Sequence, residues 1–499
     1  MMKKICYMIL ILIFMFTLFT RLYFSFSVPN YSSDSAYFNI RQIEYIQQTS
    51  KPLYDDYLSF SGRRLVFPPL FGYILAFAGL VFPINFTAKF FPNLFASSLV
   101  FFTYLIARRI SKNSNIALFT AFISGFVPIF FQQTFNNISV YSIVMPLFFL
   151  LLYSFMSIKR KKWVYCYIVT IILLTLVHPS VILFIIGLWF YLLLTKVEGV
   201  KQDKAELEII IFSTFFVILS QFLMFKKIFL FHGPLVIWQN IPKELLSNYF
   251  SQFSVLQAVY YIGIIPAFCG IYIIYRYIFK EKQQNTYLLI GFIFSVTLLL
   301  WLRLIEFKTG LMFLGVIIVL LFAQFCRLAL DYIEGTRVSM FVNLFGIILL
   351  GFLVLTSVMP SFSLAQTTLK TSITDEEIDA LNWLKQNSPD DSVILGAVYE
   401  GNLITAIAQR KNVIDSNFLL IKDAEQRLRD VDRMYTTISM TDAIDLLNKY
   451  GVSYIYFSQK AKDTYGITDI NYVDDKCFSA VYDKKVKVYK SLCRMEELK

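Results

Sequence analysis

The first twenty residues, MMKKICYMILILIFMFTLFT at positions 1–20, decide the class of fold. Lys3 and Lys4 precede an apolar run of about 18 residues, which is long enough to cross a bilayer as a helix. No small-residue cleavage site precedes Arg21, so we expect a retained first membrane span rather than a signal peptide. The basic start places the N-terminus in the cytoplasm.

The rest of the chain is similarly apolar. Of its 499 residues, 57% are hydrophobic and 18% are aromatic, more than a soluble protein of this size can bury. Apolar stretches recur at lengths near those that cross a bilayer, which predicts about eleven to thirteen transmembrane helices. The stretches lie near residues 5–24, 67–84, 91–107, 115–131, 138–157, 163–178, 180–195, 208–224, 255–279, 286–302, 310–330 and 338–358.

The charge pattern predicts the topology. Only 16% of residues are charged, yet the net charge is +12, and the basic residues collect beside the apolar stretches. Such clusters stay in the cytoplasm, so the positive charge reflects membrane orientation and not nucleic-acid binding. Strict alternation then places the loops around Asn136 and Glu306, and the tail after Pro360, on the outer face. The clusters lie at 3–4, 108–112, 159–162, 196–204, 276–282 and 327–337.

One apolar stretch is not expected to cross. Three of them lie between the loop at Asp34 and the loop at Asn136, and three crossings would leave these two loops on opposite sides. FPPLFGYILAFAGLVFP at 67–83 is the favoured re-entrant or interfacial piece, because it is short and bounded by prolines. The stretch at 115–131 is the alternative.

Two segments break the apolar pattern, an outer loop at 25–66 and a tail at 367–499. We therefore predict a polytopic α-helical membrane domain over 1–366 and a soluble extracytoplasmic α/β domain over 367–499. The tail begins with TDEEIDALNWLKQNSPDD, where Thr374 and Glu377 form a capping box ahead of helical apolar spacing. Further helices are predicted near 402–409, 422–436 and 441–450, and strands at 392–397, 452–457, 477–482 and 485–489.

The outer loop holds the densest group of polar residues in the chain. Apolar residues from Ala36 to Ile46 follow helical spacing, which predicts a helix along the membrane surface with Asp34 at its start. Asp34 could cap that helix, or it could be a general base whose pKa is raised by partial desolvation. The acidic residues and arginines of the loop are Asp34, Arg41, Glu44, Asp55, Asp56, Arg63 and Arg64.

The order of these features resembles the first outer loop of GT-C class membrane glycosyltransferases. An Asp follows the first span, an aromatic-rich helix carries an Arg seven residues on, and PLYDD, GR and PPLF lead into the next apolar segment. The class includes the catalytic subunit of oligosaccharyltransferase, the protein O-mannosyltransferases and the aminoarabinose transferases of lipid A. The resemblance implies a multi-span enzyme that takes a sugar from a polyprenyl-phosphate carrier, with Asp34 as the catalytic base.

The tail continues the resemblance. AVYEGNLITAIAQRKNVIDSNF at 397–418 is similar to the region around the WWDYG signature of oligosaccharyltransferase catalytic subunits. Tyr399, Glu400 and Asn402 are therefore candidates on the acceptor side. The WWD part, which recognises the Ser or Thr of an acceptor sequon, is missing, so glycosylation of peptide Asn does not follow. A protein, a lipid or a polysaccharide stays open as the acceptor.

The resemblance suggests a divalent metal, Mg or Mn, as a possible cofactor. In oligosaccharyltransferases an acidic pair in the second outer loop helps to hold it, whereas FFQQTFNNISVY offers Gln132, Gln133, Asn136 and Asn137 and no carboxylate. Hard cations prefer several anionic oxygens, so a mechanism without metal stays open beside a metal-dependent one. The two histidines lie too far apart in the sequence to suggest a His-based centre.

The departing lipid phosphate needs positive charge to stabilise it. WLRLIEFKTG supplies Arg303 and Lys308, in a region where GT-C enzymes typically have a basic residue that contacts the carrier phosphate. Both could instead only extend from helix ends to the interface, and Glu306 between them could pair with either or reach the site. The outer loop adds further candidates for binding the substrate or its phosphate: Arg41, Asp55, Asp56, Arg63 and Arg64.

Two of the six cysteines, Cys477 and Cys493, flank CFSAVYDKKVKVYKSLC. The segment is predicted to form two strands joined by a tight turn at 483–485, which brings Cys477 nearly opposite residue 492. The two thiols could then form a disulfide in an exported domain.

The leading hypothesis is a multi-pass plasma-membrane glycosyltransferase that moves a sugar or glycan from a polyprenyl-phosphate-linked donor to an acceptor on the outer face. The alternatives are a transporter or flippase of lipid-linked saccharides and a non-catalytic protein of envelope assembly. Transporters tend to carry mid-span ionisable residues and internal repeats, whereas the charges here crowd the outer loops. A non-catalytic role leaves the carboxylates of the first loop unexplained.

Overall fold

Helices make up the membrane part of the protein. The computed structural model describes residues 2–249 and 254–493. The helices of this part are Met2–Phe26 (α1), Asp34–Thr49 (α2), Leu70–Ala78 (α3), Ile84–Ser111 (α4), Ser114–Gly125 (α5), Pro128–Thr134 (α6), Tyr141–Met156 (α7), Lys161–Val177 (α8), Val181–Val197 (α9), Lys204–His232 (α10), Lys243–Tyr249 (α11), Val255–Ile262 (α12), Ile264–Phe279 (α13), Gln284–Trp301 (α14), Phe307–Glu334 (α15), Val342–Leu353 (α16) and Met359–Lys370 (α17).

This part forms a multi-pass membrane protein. Within the described residues, six helices are long and apolar enough to cross a membrane, or up to eight if two bent pairs each count as one span. The bent pairs are α5 with α6 and α12 with α13. Helices α7 and α9 are apolar but have 16 and 17 residues, slightly below the ~20 of a full crossing. Even with α7 and α9 counted, the described residues provide at most ten spans, fewer than the predicted eleven to thirteen.

Helix α3 is too short to cross the membrane. Its nine residues rise about 14 Å, roughly half the thickness of the hydrocarbon core. Phe77, Leu80 and Val81, at and just beyond its end, are exposed apolar residues, as expected for a piece that lies in the membrane interface. The short helix supports the prediction that 67–83 does not cross.

A buried lysine anchors the C-terminal end of α1. Lys89 of α4 is 5% exposed and donates through Nζ to the carbonyl oxygens of Ser25, at 2.8 Å, and Val28. The last carbonyls of a helix have no partner inside the helix, and the ammonium supplies one. One helical turn earlier, Arg21 donates to Asn93 at 3.2 Å. The chain is thereby fixed where it leaves α1 and turns into α2.

The first outer loop packs against the second. Helix α2 begins at Asp34, as predicted, and buries the apolar face that includes Ala36, Ile43 and Ile46. On the same face, the Asn39 amide donates to the Ile138 carbonyl oxygen at 2.8 Å. After α2, strands Asp55–Asp56 (β1) and Arg63–Arg64 (β2) pair antiparallel. The loop is therefore a folded layer over the membrane helices and not an open connection.

The tail contains a mixed sheet covered by helices. Among the described residues the sheet has five strands in the order β4-β3-β5-β7-β6, with β3 parallel to β4 and β5, and β7 antiparallel to β5 and β6. The elements are Asp375–Asn387 (α18), Val393–Leu395 (β3), Gly401–Leu403 (α19), which continues as a π-helix over Ile404–Ala408, Lys411–Asn412 (β4), Ala424–Thr436 (α20), Met440–Lys449 (α21), Val452–Phe457 (β5), Gln459–Tyr465 (α22), Phe478–Asp483 (β6) and Lys487–Ser491 (β7).

The predicted tail elements are present with shifted ends. The Thr374 hydroxyl accepts a hydrogen bond from the Glu377 N–H at 3.3 Å, and the Glu377 carboxylate accepts one from the Thr374 N–H at 2.7 Å, so the capping box is confirmed. Strand β4 and helix α22 are absent from the prediction. A two-residue strand and a seven-residue helix are too short for the spacing of their apolar residues to identify them.

Cys477 and Cys493 form a disulfide. The Leu492 N–H donates to the Cys477 carbonyl oxygen at 2.8 Å, so the two strands bring these positions together as expected. Asp483 pairs with Lys487. The turn therefore consists of residues 484–486, one position later than the predicted turn at 483–485.

Replacing both Cys477 and Cys493 by serine should lower the free energy of unfolding of the tail. The bond joins residues 16 apart, and opening a loop of that size frees unfolded-state entropy worth about 3 kcal/mol. Urea-dependent proteolysis of the full chain in detergent measures the change. Cys6→Ser, at a free cysteine in α1, is the control, and equal urea midpoints for the tail in all forms would contradict the prediction.

Candidate active site

Asp34 meets the tail at the first turn of α2. Its Oδ2 accepts a hydrogen bond from the side-chain amide of Asn402 at 2.7 Å, and its Oδ1 accepts one from the backbone N–H of Leu403 at 2.8 Å. The residue is only 5% exposed. Ser33 holds the N-cap position of α2, so the capping role considered for Asp34 does not apply. Its carboxylate instead joins the membrane part to the tail.

The segment that bonds Asp34 packs tightly inside the tail because Gly401 has no side chain. A Cβ at Gly401 would lie 2.2 Å from the Ile414 carbonyl oxygen and 2.5 Å from the Asp415 Cβ, distances that no side chain can occupy. Asn412 fixes the same segment, because it donates to the Gly401 carbonyl oxygen at 2.8 Å and accepts from the Phe60 N–H at 2.6 Å. The segment is thus held by both the tail and the outer loop.

A second buried carboxyl and a lysine lie next to this contact. Glu400 is 1% exposed, and its oxygens accept hydrogen bonds from the Ser458 hydroxyl and from a backbone N–H of the tail. Lys460 on α22 donates through Nζ to the Tyr399 carbonyl oxygen at 2.7 Å. Its charge acts on both Asp34 and Glu400.

Burial dominates the electrostatics of the two carboxyls. It raises the pKa of Asp34 to about 6, against the opposing effects of the Lys460 charge and of the hydrogen bonds from Leu403 and Asn402. Burial likewise raises the pKa of Glu400 to about 7, opposed first by Lys460. A carboxyl of pKa about 6 is mostly ionised at pH 7 and is a stronger base than an ordinary Asp.

The turn between α14 and α15 carries Arg303 and Glu306, which are exposed, and Lys308, which is half-buried at the start of α15. Burial and then the charge of Glu306 raise the pKa of Tyr399 above its ordinary value. The turn therefore acts electrostatically on the segment of the tail that also contains Glu400 and Asn402.

Other charged residues of the outer loop pair with one another. Arg41 donates two hydrogen bonds to Asp56, at 2.9 and 2.8 Å, and Asp56 also accepts from the backbone N–H groups two and three residues later. Arg64 and Asp55 face each other at 3.9 Å on the surface. Arg41 and Asp56 thus maintain the shape of the loop.

Arg63 joins the outer loop to the tail. Its guanidinium donates to Asp415 at 3.0 Å, with both side chains buried, and also to the Asn417 carbonyl oxygen. It lies over the Phe60 ring at 4.8 Å, and the Ser59 hydroxyl donates to the same Asp415. The charge of Arg63 is therefore compensated within the protein.

The residues present do not fit a tightly held divalent metal. The described part of the chain contains no group of three His, Cys, Asp or Glu side chains that could hold a metal ion. From the second outer loop, Asn136 reaches the first through its amide, which donates to the Asn30 carbonyl oxygen at 3.0 Å. Mg and Mn prefer several anionic oxygens, and this loop supplies neutral amides.

Solved structures share this architecture. The archaeal oligosaccharyltransferase AglB from Archaeoglobus fulgidus, in complex with an inhibitory peptide and a dolichol-phosphate, aligns with a TM-score of 0.66 at 15% identity over 91% of this chain and 69% of that chain. An A. fulgidus oligosaccharyltransferase in complex with Zn and sulfate aligns with a TM-score of 0.64 at 14% identity, over 94% of this chain and 71% of that chain. The chain has a GT-C fold. ArnT from Cupriavidus metallidurans, bound to undecaprenyl phosphate, also aligns, with a TM-score of 0.57 at 9% identity over 96% of this chain and 97% of that chain.

Sequence similarity is more limited. No family model matches the chain. Dolichyl-phosphooligosaccharide-protein glycotransferase 1 of Archaeoglobus fulgidus is 30% identical over 139 residues, which is 27% of this chain and 23% of that protein. This chain thus matches under a quarter of the relative's length. The resemblance inferred from the outer loop and the tail is confirmed at the level of the fold.

Sequence reasoning missed two residues that surround the site, Lys460 and Asp415. Lys460 lies in the short helix α22 and Asp415 lies three residues after β4, and neither belongs to a motif with fixed spacing. Asp415 pairs with Arg63, 352 positions earlier, and Lys460 bonds Tyr399, 61 positions earlier. No local pattern predicts contacts over such distances.

Arg63→Leu should destabilise the docking of the tail by about 3–5 kcal/mol, because it leaves the Asp415 carboxylate buried without its cation. The double variant Arg63→Leu/Asp415→Leu removes both charges and should recover most of the loss. Protease accessibility of the tail during thermal unfolding of the full chain measures both. Arg64→Leu, at a largely exposed pair, is the control and should change little. Equal destabilisation of the single and double variants would contradict the prediction.

Proposed function

We propose that the protein transfers a sugar or glycan from a polyprenyl-phosphate-type lipid carrier to an acceptor hydroxyl on the outer face of the membrane, with Asp34 as the general base. The observation that carries the proposal is the environment of Asp34, a buried carboxylate that follows the first span and has a pKa of about 6. The fold supports it, since GT-C structures have been solved with dolichol-phosphate and with undecaprenyl phosphate.

In this reaction Asp34 takes the proton of the acceptor hydroxyl. The acceptor oxygen bonds to the anomeric carbon on the face opposite the phosphate, the anomeric C–O bond to the phosphate breaks, and the lipid phosphate leaves with the electron pair. The configuration at the anomeric carbon inverts. A base with a pKa just below the working pH is ionised before the reaction and still accepts a proton readily. No step uses a metal ion.

The leaving phosphate is stabilised by cations of the α14–α15 turn. Positive charge fixed near the departing oxygens lowers the barrier without reorganisation. Arg41 and Arg63 are paired with buried carboxylates, which makes them poor candidates. Arg303 and Lys308 are better candidates, because Glu306 of the same turn acts electrostatically on Tyr399 beside the site.

The proposed orientation has the N-terminus in the cytoplasm and the tail outside. The basic clusters between spans support it, and the disulfide between Cys477 and Cys493 is typical of an oxidising compartment. The acceptor is a hydroxyl of a protein, a lipid or a polysaccharide. The sequence around Val398 and Tyr399 lacks the aromatic pair that a sequon-binding signature would supply.

Asp34→Asn should lower sugar transfer by about 10²–10⁴-fold, the contribution of a positioned general base, with little effect on expression. Cells with the wild-type gene, without the gene and with Asp34→Asn are compared for envelope glycans and for accumulated lipid-linked sugar. The missing product and the unused donor identify both substrates.

Asp379→Asn is the matched control, because Asp379 is an exposed carboxylate of α18, and it should transfer normally. Full transfer by Asp34→Asn would remove the proposed base. Accumulation of the lipid-linked sugar on the inner leaflet alone would favour a transporter over a transferase.

The transfer rate should fall as the pH drops through about 6, because burial raises the pKa of Asp34 to that value and only the ionised carboxylate accepts the proton. Below the pKa the rate should decrease about tenfold per pH unit. Initial rates in isolated membranes between pH 5 and pH 8 measure the dependence. A rate that stays constant across this range would contradict it.

A further inference from the structure

Asn402 bonds the carboxylate that the proposed mechanism uses, and it comes from the tail. Its amide lies 2.7 Å from Asp34 Oδ2, and the next residue, Leu403, donates its backbone N–H to Oδ1 at 2.8 Å. Two adjacent positions of the tail therefore bond the two oxygens of one carboxylate. Such a pair of bonds fixes both the position and the rotation of the carboxylate.

Asn402 is itself rigidly held. It is 4% exposed, and its carbonyl oxygen accepts a hydrogen bond from the Thr405 hydroxyl at 3.1 Å. On its N-terminal side, the Gly401 carbonyl oxygen accepts from Asn412 at 2.8 Å. The amide therefore reaches Asp34 from a fixed backbone and loses little entropy when it forms the bond.

The chemistry of the donor suits a base. An amide is neutral, so it orients the carboxylate without neutralising it, whereas an arginine in the same place would lower the pKa far more. Each carboxylate oxygen has two lone pairs, so one bond to each oxygen leaves acceptor capacity for the proton of a substrate. The other charged or titratable groups that act on Asp34 are Lys460 of α22, Asp415 after β4 and Tyr37 of α2.

We propose that Asn402 is a positioning residue, which holds the Asp34 carboxylate in the orientation required of a general base, so that the tail completes the catalytic site. This role rests on the proposed function of Asp34. It differs from contact with the acceptor, the role for which the resemblance made Asn402 a candidate.

The test labels Asp34 with dicyclohexylcarbodiimide, an apolar reagent that modifies protonated carboxyl groups, in the purified full chain. Mass spectrometry follows the modified peptide as a function of pH. In the wild type, labelling should rise as the pH falls through about 6. Asn402→Ala removes a hydrogen bond to the charged form, so the midpoint should move upward by about one pH unit.

Asn402→Asp serves as a second variant, because it keeps the shape of the side chain and replaces the donor by an acceptor. Its midpoint should move further upward. Asn387→Ala removes an exposed asparagine of α18 that bonds only within its own helix, and it should leave the midpoint unchanged. Folded protein is selected by size-exclusion chromatography and by the intact Cys477–Cys493 bond before labelling.

The transfer assay separates positioning from a structural role. Per folded molecule, Asn402→Ala should lose transfer at every pH, because the base is no longer oriented, and should lose more below pH 7, where less of Asp34 is ionised. An unchanged midpoint in both variants, or transfer by Asn402→Ala equal to that of the wild type, overturns the proposal. The labelling needs no sugar substrate, so active Asp34→Asn would refute the proposed base whether or not Asn402 shifts the titration.

Discussion

A carboxylate that is removed from water has to be compensated, and the arrangement of the outer loop and the tail follows from that constraint. Asp34 is buried where the first span ends, and its hydrogen bonds come from the tail. The segment that supplies those bonds packs against Ile414 and Asp415 of the tail, which requires glycine at position 401. The environment of Asp34 therefore depends on how the tail itself is folded.

The four buried carboxylates where the outer loop meets the tail fall into two groups according to their partners. Asp56 and Asp415 receive guanidinium groups, and such pairs have their charge neutralised and their geometry fixed. Asp34 and Glu400 receive neutral donors, while Lys460 acts on them without bonding either directly. Asp56 and Asp415 therefore stabilise the fold, whereas Asp34 and Glu400 retain their affinity for protons. This difference separates Asp34 and Glu400 from the two carboxylates that are paired with arginines.

The sequence predicts the local features of this protein better than the distant ones. The first span, the start of α2 at Asp34 and the capping box at Thr374 depend on neighbouring residues, and each appears as expected. The pairing of Arg63 with Asp415 and the role of Lys460 depend on the tertiary fold, and no spacing rule predicts them. The sequence makes Arg41 and Arg63 candidates for binding a phosphate, because it does not reveal which carboxylate an arginine contacts. In the structure they pair with Asp56 and Asp415.

The contact between Asp34 and Asn402 also constrains how the protein is made. The two residues are 368 positions apart, and the ion pair beside them spans a similar distance. During synthesis the outer loop emerges long before its partners, so Asp34 and Arg63 stay hydrated and unorganised while the later helices enter the bilayer. The contact forms only after the tail has been synthesised. A chain that stops before the tail therefore leaves Asp34 without its hydrogen-bond partners.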